Sequence, residues 1–310
     1  MKKRLLSIVI ANYNYGRFLE EAIQSVIAQG MGDKVELIIC DAASTDNSVE
    51  IIKKYARGLP PNTELNDWQS TEALTADSQM LTTKITWWCS EKDGGQSAAF
   101  NKGFSHAQGE WISWLNADDI LMPRTLCGFE ELVRNKSKAD WITGNKLHFD
   151  SNSRKIMSIH WGPHSLPPFL RGNTAFSAVY GPTTFWKKSL YNRLGPIDES
   201  LFYAMDSEYW ARMTMAGIRQ IRFNHICWGF RVHEESKTEG IQSSDVFQKR
   251  KSETSRWRER LGYKYNPSFS NPWYLLWVLW RILDLSFVLR AYFKFRYEGC
   301  SLDDYMEVRK

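Results

Sequence analysis

The sequence predicts an α/β fold: a mainly parallel central sheet flanked by helices, with a helical extension at the C-terminal end. Two observations carry this. Short apolar runs of strand length alternate with segments whose apolar residues recur at helical spacing, the pattern of right-handed βαβ units. Beyond residue 239 the composition changes. Residues 249–264 hold seven Lys or Arg against two Glu, and a densely aromatic and aliphatic stretch follows.

The first element, LLSIVIA at 5–11, is continuously apolar, as expected of a central strand covered on both faces. Residues 18–29 place Leu19, Ala22, Ile23, Val26 and Ile27 at helical spacing, and Gly30 and Gly32 end that helix. Residues 35–40 form a second buried strand. DAASTDNS follows, then a helix at 49–55 with Asn47 or Ser48 as its cap. Residues 58–84 break the rhythm with Pro60, Pro61 and a polar, aperiodic run. They read as an inserted loop with a short helix around 67–81. The alternation resumes with a strand at 85–90, a helix at 97–107, a strand at 111–115, a helix at 123–135 and a strand at 141–149. From 151 to 182 it weakens among Pro, Gly and aromatic residues. A partly helical segment at 198–217 and a strand at 221–232 lead into HEESKT. The chain thus divides into a main domain at 1–238, with the insertion at about 58–84, and a basic, aromatic-rich helical extension at 239–310.

Composition narrows the possibilities. Of 310 residues, 43% are hydrophobic and 14 are Trp, which excludes a disordered chain. The net charge of +5 is modest and no recognition motif accompanies it, which argues against nucleic acid as a partner. The five Cys (Cys40, Cys89, Cys127, Cys227 and Cys300) are odd in number, scattered, and form no CxxC pair. Neither a disulfide framework nor a structural zinc site is expected, and a reducing cytosol is the default compartment. The N-terminal MKKRLLSIVIANYNYG has the outline of a signal peptide. Its apolar run is only seven residues long, however, and Asn12, Tyr13 and Asn14 stand where a small-residue cleavage site belongs. It reads as a strand.

Four polar loops fall at the carboxyl ends of expected strands: ANYNYG, DAASTDNS, SEKDGGQS and NADD. In an open parallel sheet, ligands bind at that edge. The neighbours Asp118 and Asp119 raise each other's pKa unless a cation neutralises them. A divalent cation that also binds phosphate oxygens meets that need. Alternatively, Asp119 caps the helix that starts near Pro123. Asn116 can hydrogen-bond a hydroxyl. Asp93–Gly95 either allows close backbone approach to a ligand or makes a plain tight turn. Lys102, on the next helix, either reaches a phosphate or stays solvated. The absence of GxxxxGK[ST] and GxGxxG removes the main support for P-loop and dinucleotide sites.

SIVIANYN, CDAASTDNS, SEKDGGQSAAFNKGF and GEWISWLNADDILMP, in this order and spacing, resemble the family 2 inverting glycosyltransferases. FYAMDSEYWARMTMAG resembles that family's acidic acceptor-site motif, and RVHEESKT a His-containing segment after it. The resemblance spans about residues 5–237. It implies a GT-A (Rossmann-like) fold, a nucleotide-diphospho-sugar donor and a divalent cation, Mn²⁺ or Mg²⁺. By position it implies that Ala11, Tyr13 and Asp41 border the base, with Asp41 accepting from a uracil- or thymine-type imide. Asp41 as a cap for the next helix is the alternative. It places Asp93 and Lys102 near the ribose and diphosphate. Asn116 stands at the first position of the family's DxD motif, where Asp is commoner, and a ribose contact is its implied role. Asp118, at the last position, is the implied metal ligand, with Asp119 second. Asp206 is the implied general base and Glu208 its alternative. On one helix the two diverge by about 200°, so they do not face the same acceptor. His233 either completes the metal shell, contacts phosphate or is structural.

The extension carries WYLLWVLWRILDLSFVLRAYF, residues 273–293, long enough to span a bilayer. Arg281 and Asp284 interrupt it at a spacing suited to pairing. Its Trp and Tyr content, and Arg290, Lys294 and Arg296 near its end, suit a membrane interface. The basic stretch before it would attract anionic headgroups. A packed helical subdomain or a dimer interface is the alternative.

Together these features lead to the expectation of a metal-dependent inverting glycosyltransferase. It would move sugar from a UDP- or dTDP-type donor to a hydroxyl of a glycan or lipid-linked glycan, in surface polysaccharide synthesis. Its expected place is the cytoplasm, peripheral at the inner face of the membrane. One alternative is a sugar-phosphate nucleotidyltransferase, which needs a Gly-rich basic loop where NYNYGR offers one Gly and Arg17. The other is a catalytically inactive carbohydrate-binding or scaffold protein.

Overall fold

Strands that are apolar on both faces have to lie between two layers of other elements, and the chain is built that way. The computed structural model describes residues 4–63, 84–136, 138–162, 179, 181–236, 244–263 and 272–309. The bulk of the expected insertion, including its helix at 67–81, lies outside the described residues.

The strands are β1 (Leu6–Asn12), β2 (Val35–Asp41), β3 (Lys84–Ser90), β4 (Trp111–Asn116), β5 (Ile120–Leu121), β6 (Trp141–Asp150), β7 (Ile156–His160), β8 (Thr184–Lys187) and β9 (Gln220–Val232). They form one sheet in the order β3-β2-β1-β4-β8-β6-β9-β5, with β7 paired to β6. β3, β2, β1 and β4 are mutually parallel. β8 is antiparallel to both β4 and β6, and β9 is parallel to β6. β6 and β9 therefore run in the direction of β1, and their carboxyl ends reach the same edge. β8 lies in the stretch where the sequence pattern weakens, and β5 is only two residues long.

Alternation along the strands separates two cores. Ile8 and Ile10 of β1 face α1 (Gly16–Ile27) and α2 (Ser48–Ala56) and pack with Leu19, Ile23, Val26 and Ile52. Val9 faces the other way, onto Phe100 and Phe104 of α3 (Gln96–His106). Gly103 permits this approach, because a Cβ there would lie 2.3 Å from Val9 Cγ1. The second core also holds Trp210 of α6 (Met205–Met215), stacked on Trp114 at 5.3 Å and edge-on to Trp186 at 5.3 Å. α4 (Thr125–Asn135) and α5 (Lys188–Leu194) complete the main domain.

The C-terminal segment folds as α7 (Ser244–Arg260), α8 (Pro272–Leu283), α9 (Ser286–Tyr297) and α10 (Leu302–Val308). Trp257 of α7 is buried in the second core, and Leu302 and Tyr305 of α10 close a third core with Leu147, Phe149 and Ile159. The apolar stretch at 273–293 is broken in two. Leu285 adopts a left-handed conformation, φ 62°, and the Asp284 carboxylate accepts from Ser286 N at 2.9 Å, which starts α9. Among the described residues, no helix is long and apolar enough to cross a membrane.

One buried carboxylate ties the edge of the sheet opposite the polar loops. Glu36 accepts from Arg4, Ser7 Oγ, Thr86 Oγ1, Gln108 N and Gly109 N, at 2.5–3.2 Å. Replacing it by Ala leaves buried donors, one of them charged, without an acceptor. We expect Glu36→Ala to cost about 3–5 kcal/mol of stability. Urea unfolding measures this, and a loss below about 1 kcal/mol would show that those donors find other partners.

Candidate active site

Parallel packing brings the carboxyl ends of β1, β2, β3, β4 and β9 to one edge, where a cleft of about 1090 Å³ opens. Ala11, Tyr13, Asp93, Asn116, Asp118 and Asp206 all line it. Asp41, Lys102, Asp119, Glu208 and His233 are not among its lining residues, and each has its own place.

The Asp pair is split. Asp118 faces the cleft, and His233 Nε2 lies 3.1 Å from its Oδ2. Asp119 is buried. Its Oδ1 accepts from Arg231 N at 2.9 Å, and its Oδ2 accepts from Asn116 Nδ2 at 2.7 Å. Burial, and then the Asp118 charge, push the Asp119 carboxyl well above the ordinary range. Asp119 does not cap α4, whose N-cap is Arg124 in a left-handed conformation. Arg231 braces the same turn from β9, donating through Nε to Asp118 O at 2.8 Å and pairing with Glu21 of α1. The short β5, antiparallel to β9 at Ile120↔Gly229, holds the two chains in register here.

Asp41 sits below the cleft surface. Its carboxylate accepts from Asn12 Nδ2 at 2.7 Å, Ser44 N at 3.0 Å, Ser44 Oγ at 2.5 Å and Ser90 Oγ at 2.6 Å. It therefore knits three strand-end loops together and does not cap α2, whose N-cap Asn47 makes no side-chain cap bond. The neighbouring Asp46 supplies that kind of bond instead, accepting from Gly16 N at 2.8 Å and Ser48 N at 3.0 Å.

On the third loop, Asp93 Oδ1 accepts from Gly95 N at 2.7 Å. Gly95 has φ 107°, a conformation that L side chains rarely adopt, and it opens α3 without a side-chain cap. The start of α3 thus adjoins the cleft, where Gly95 and Gln96 contribute to the wall. Lys102 pairs with Glu91 at 2.7 Å.

Asp206 lies in the first turn of α6 and accepts from Ser207 N at 2.6 Å. Glu208 points the other way, buried between Arg212 at 3.0 Å and Arg260 at 2.9 Å. This is the divergence their spacing predicts. The loop before α6 is held from the extension. Glu253 of α7, itself buried, accepts from Phe202 N, Tyr203 N and Ala204 N at 2.8–3.1 Å.

Several lining residues were not singled out by the sequence. Tyr15, Trp228, Phe230, Phe202 and Tyr203 form aromatic walls. Burial, and then Asp118, push the Tyr15 hydroxyl up to about 12. Trp228 and Phe230 alternate along β9, a two-residue period that could have marked them as sharing a face. The Lys146 ammonium of β6 lies 5.0 Å from the Trp228 ring and 5.3 Å from that of Phe230. Burial lowers its pKa to about 8, opposed by Asp119 and Asp206.

Among the described residues, no three His, Cys, Asp or Glu side chains come together as a metal cage. Asp118 with His233 offers a two-ligand anchor. Mg²⁺ and Mn²⁺ accept few protein ligands when phosphate oxygens and water complete the shell. The residues present fit such an ion.

The split of the Asp pair predicts a split in stability. Asp119→Ala removes the acceptor of a buried backbone N–H and of the half-buried Asn116 amide, and should cost about 2–4 kcal/mol. Asp118→Ala lies at the cleft surface, relieves the repulsion on Asp119, and should change stability by less than about 1 kcal/mol. Thermal unfolding of the two variants tests this, and equal losses would contradict it.

The model of Glycosyl transferase family 2 matches residues 7–66 and 78–194. An uncharacterized glycosyltransferase of Nostoc sp. is 33% identical over 154 residues, 48% of this chain and 40% of the relative. This chain spans less than two thirds of the length of the first curated relatives it matches. Among solved structures, Staphylococcus aureus TarS in complex with UDP-GlcNAc superimposes with a TM-score of 0.57 at 17% identity, covering 90% of this chain and 73% of that one. The mannosyltransferase PcManGT from Pyrobaculum calidifontis, in complex with GDP-Man and Mn²⁺, gives 0.51 at 18% identity, with 93% and 82% covered. These structures show the GT-A fold, and the family match runs through the ANYNYG, DAASTDNS, DGG and NADD loops that build the cleft: the chain belongs to glycosyltransferase family 2.

Proposed function

We propose that the protein is a metal-dependent inverting glycosyltransferase that moves a sugar from a UDP- or dTDP-type donor to a hydroxyl of a glycan or lipid-linked glycan, in surface polysaccharide synthesis. The observation that carries this is that Asp118, with His233 beside it, and Asp206 open onto one cleft from distant parts of the chain. The relatives in this fold that hold UDP-GlcNAc, or GDP-Man with Mn²⁺, support a nucleotide-sugar donor and a divalent cation.

In this reading the base lies against Ala11 and Tyr13. Asp41 acts from below by fixing Asn12 and Ser44, so its selectivity for an imide is exerted through the loop it orders. The start of α3 and Asp93 border the ribose and diphosphate, where uncapped N–H groups favour an anion. Lys102 contributes from its ion pair with Glu91. Asn116 is oriented by Asp119 and Gln96 toward a ribose hydroxyl. Asp118 and His233 would hold the cation, and the ion would supply positive charge to offset that of the departing diphosphate. Asp206 takes the proton of the acceptor hydroxyl as it attacks from the face opposite the leaving group. Trp228 and Phe230 give the acceptor apolar faces on which to stack. The protein acts in the cytoplasm, at the inner face of the membrane.

Transfer from UDP-sugars in the presence of Mn²⁺ tests this. Asp206→Asn should lower kcat by about 10²–10⁴-fold and still show donor-induced thermal stabilisation. Asp118→Ala should lose the Mn²⁺ dependence of that stabilisation. An Asp206→Asn protein as fast as wild type would remove Asp206 from the base role. Pyrophosphate release from a nucleoside triphosphate would favour a nucleotidyltransferase, and donor binding without turnover across an acceptor panel an inactive binding protein.

A further inference from the structure

The α8–α9 pair is built inside out. On α8 the exposed apolar residues Leu275, Leu276, Leu279, Ile282 and Leu283 recur at the spacing of one helical face. From Leu285 into α9, Val288, Tyr292 and Phe295 do the same. Leu283 is 72% and Phe295 95% exposed. The two charged groups at the junction of the helices, Arg281 and Asp284, point inward. Arg281 is buried, donates to Trp161 O at 2.9 Å and Ser286 Oγ at 2.6 Å, and lies 4.6 Å from the Phe287 ring. Asp284 faces Arg222 at 3.6 Å. A helix pair selected for water carries its charges outside and its leucines inside.

We propose that this outer face seats in the headgroup and upper acyl layer of an anionic lipid bilayer. The basic charge of these helices and of α7 favours this occupant. Arg290, Lys294 and Arg296 of α9 are exposed, as are Lys249, Arg250 and Lys251 of α7, in a chain of net charge +5. A second copy of the chain on this face would set like charges against each other, whereas anionic headgroups neutralise them. The two helices are 12 residues each, about 18 Å long against a hydrocarbon core of about 30 Å, so they lie in the interface and do not cross it. The seat is joined to the cleft. α9 packs on β7. Arg290 of α9 and Arg250 of α7 both act on the Lys146 ammonium, which stands beside the cleft residues Trp228 and Phe230. The basic, aromatic end of the cleft therefore adjoins the lipid surface.

Lipid binding is independent of sugar transfer and is measured without it. The full chain is sedimented with vesicles of phosphatidylcholine, or of phosphatidylcholine with phosphatidylglycerol. Wild type should bind the anionic vesicles. The L279E/L283E/F295E variant should bind at least about tenfold more weakly. The R290A/K294A/R296A variant keeps every apolar residue and should lose about 100-fold on anionic vesicles alone. Wild type left in the supernatant with both vesicles overturns the proposal, as does unchanged binding by either variant. If wild type without lipid sediments as a dimer and the L279E/L283E/F295E variant as a monomer, the face joins two copies and the proposal fails.

Discussion

The cleft depends on one buried carboxylate. Asp119 ties the end of β4 to the end of β9, holding the Asn116 side chain with one oxygen and the Arg231 backbone with the other. Asp118 and His233 come within 3.1 Å of each other only because these two chain ends are fixed together. The arrangement has an electrostatic cost, since burial and the neighbouring Asp118 both disfavour the charged form of Asp119. Positive charge supplied at Asp118 would lower that cost. The same pair of residues thus sets the shape of the site and puts negative charge at its wall.

A second anchor holds the opposite wall. Trp210 fixes α6 within the Trp114–Trp186 cluster, and Trp114 also floors the cleft. Asp206 lies four residues before Trp210, one turn of helix away, so aromatic packing helps to place the candidate base. Glu208, with two arginines, serves the helix and not the cleft. The two carboxylates of FYAMDSEYW thus divide between the cleft and the anchoring of α6.

Much of this was legible in the sequence because it follows from local periods. The apolar run Leu5–Ala11 reads as a buried strand and is β1 within one residue, and the helical spacing from Leu19 to Ile27 places α1 within about two residues of its observed bounds. The four polar loops marked the ligand edge. Features set by distant partners were not legible. β8 enters the sheet antiparallel from a stretch with no clean period, and β5 is too short to carry one. The burial of Asp41 depends on Asn12, Ser44 and Ser90, which only the fold brings together. The break at Leu285 comes from Asp284 accepting a backbone N–H, where helical spacing alone would continue. Trp228 and Phe230 were not singled out, because an aromatic cleft wall and a packed interior share the same residue types.

Glu253 ties the extension to the rest of the chain in time as well as in space. It accepts three backbone N–H groups ahead of α6, from residues 49–51 positions earlier in the chain. Chains emerge from the ribosome N-terminus first. When α6 emerges, the Glu253 carboxylate that accepts from the loop before it, next to Asp206, has not yet been made. The wall carrying the candidate base is completed only after α7 has been made, so maturation of the cleft is timed by the part of the chain that also bears α8 and α9.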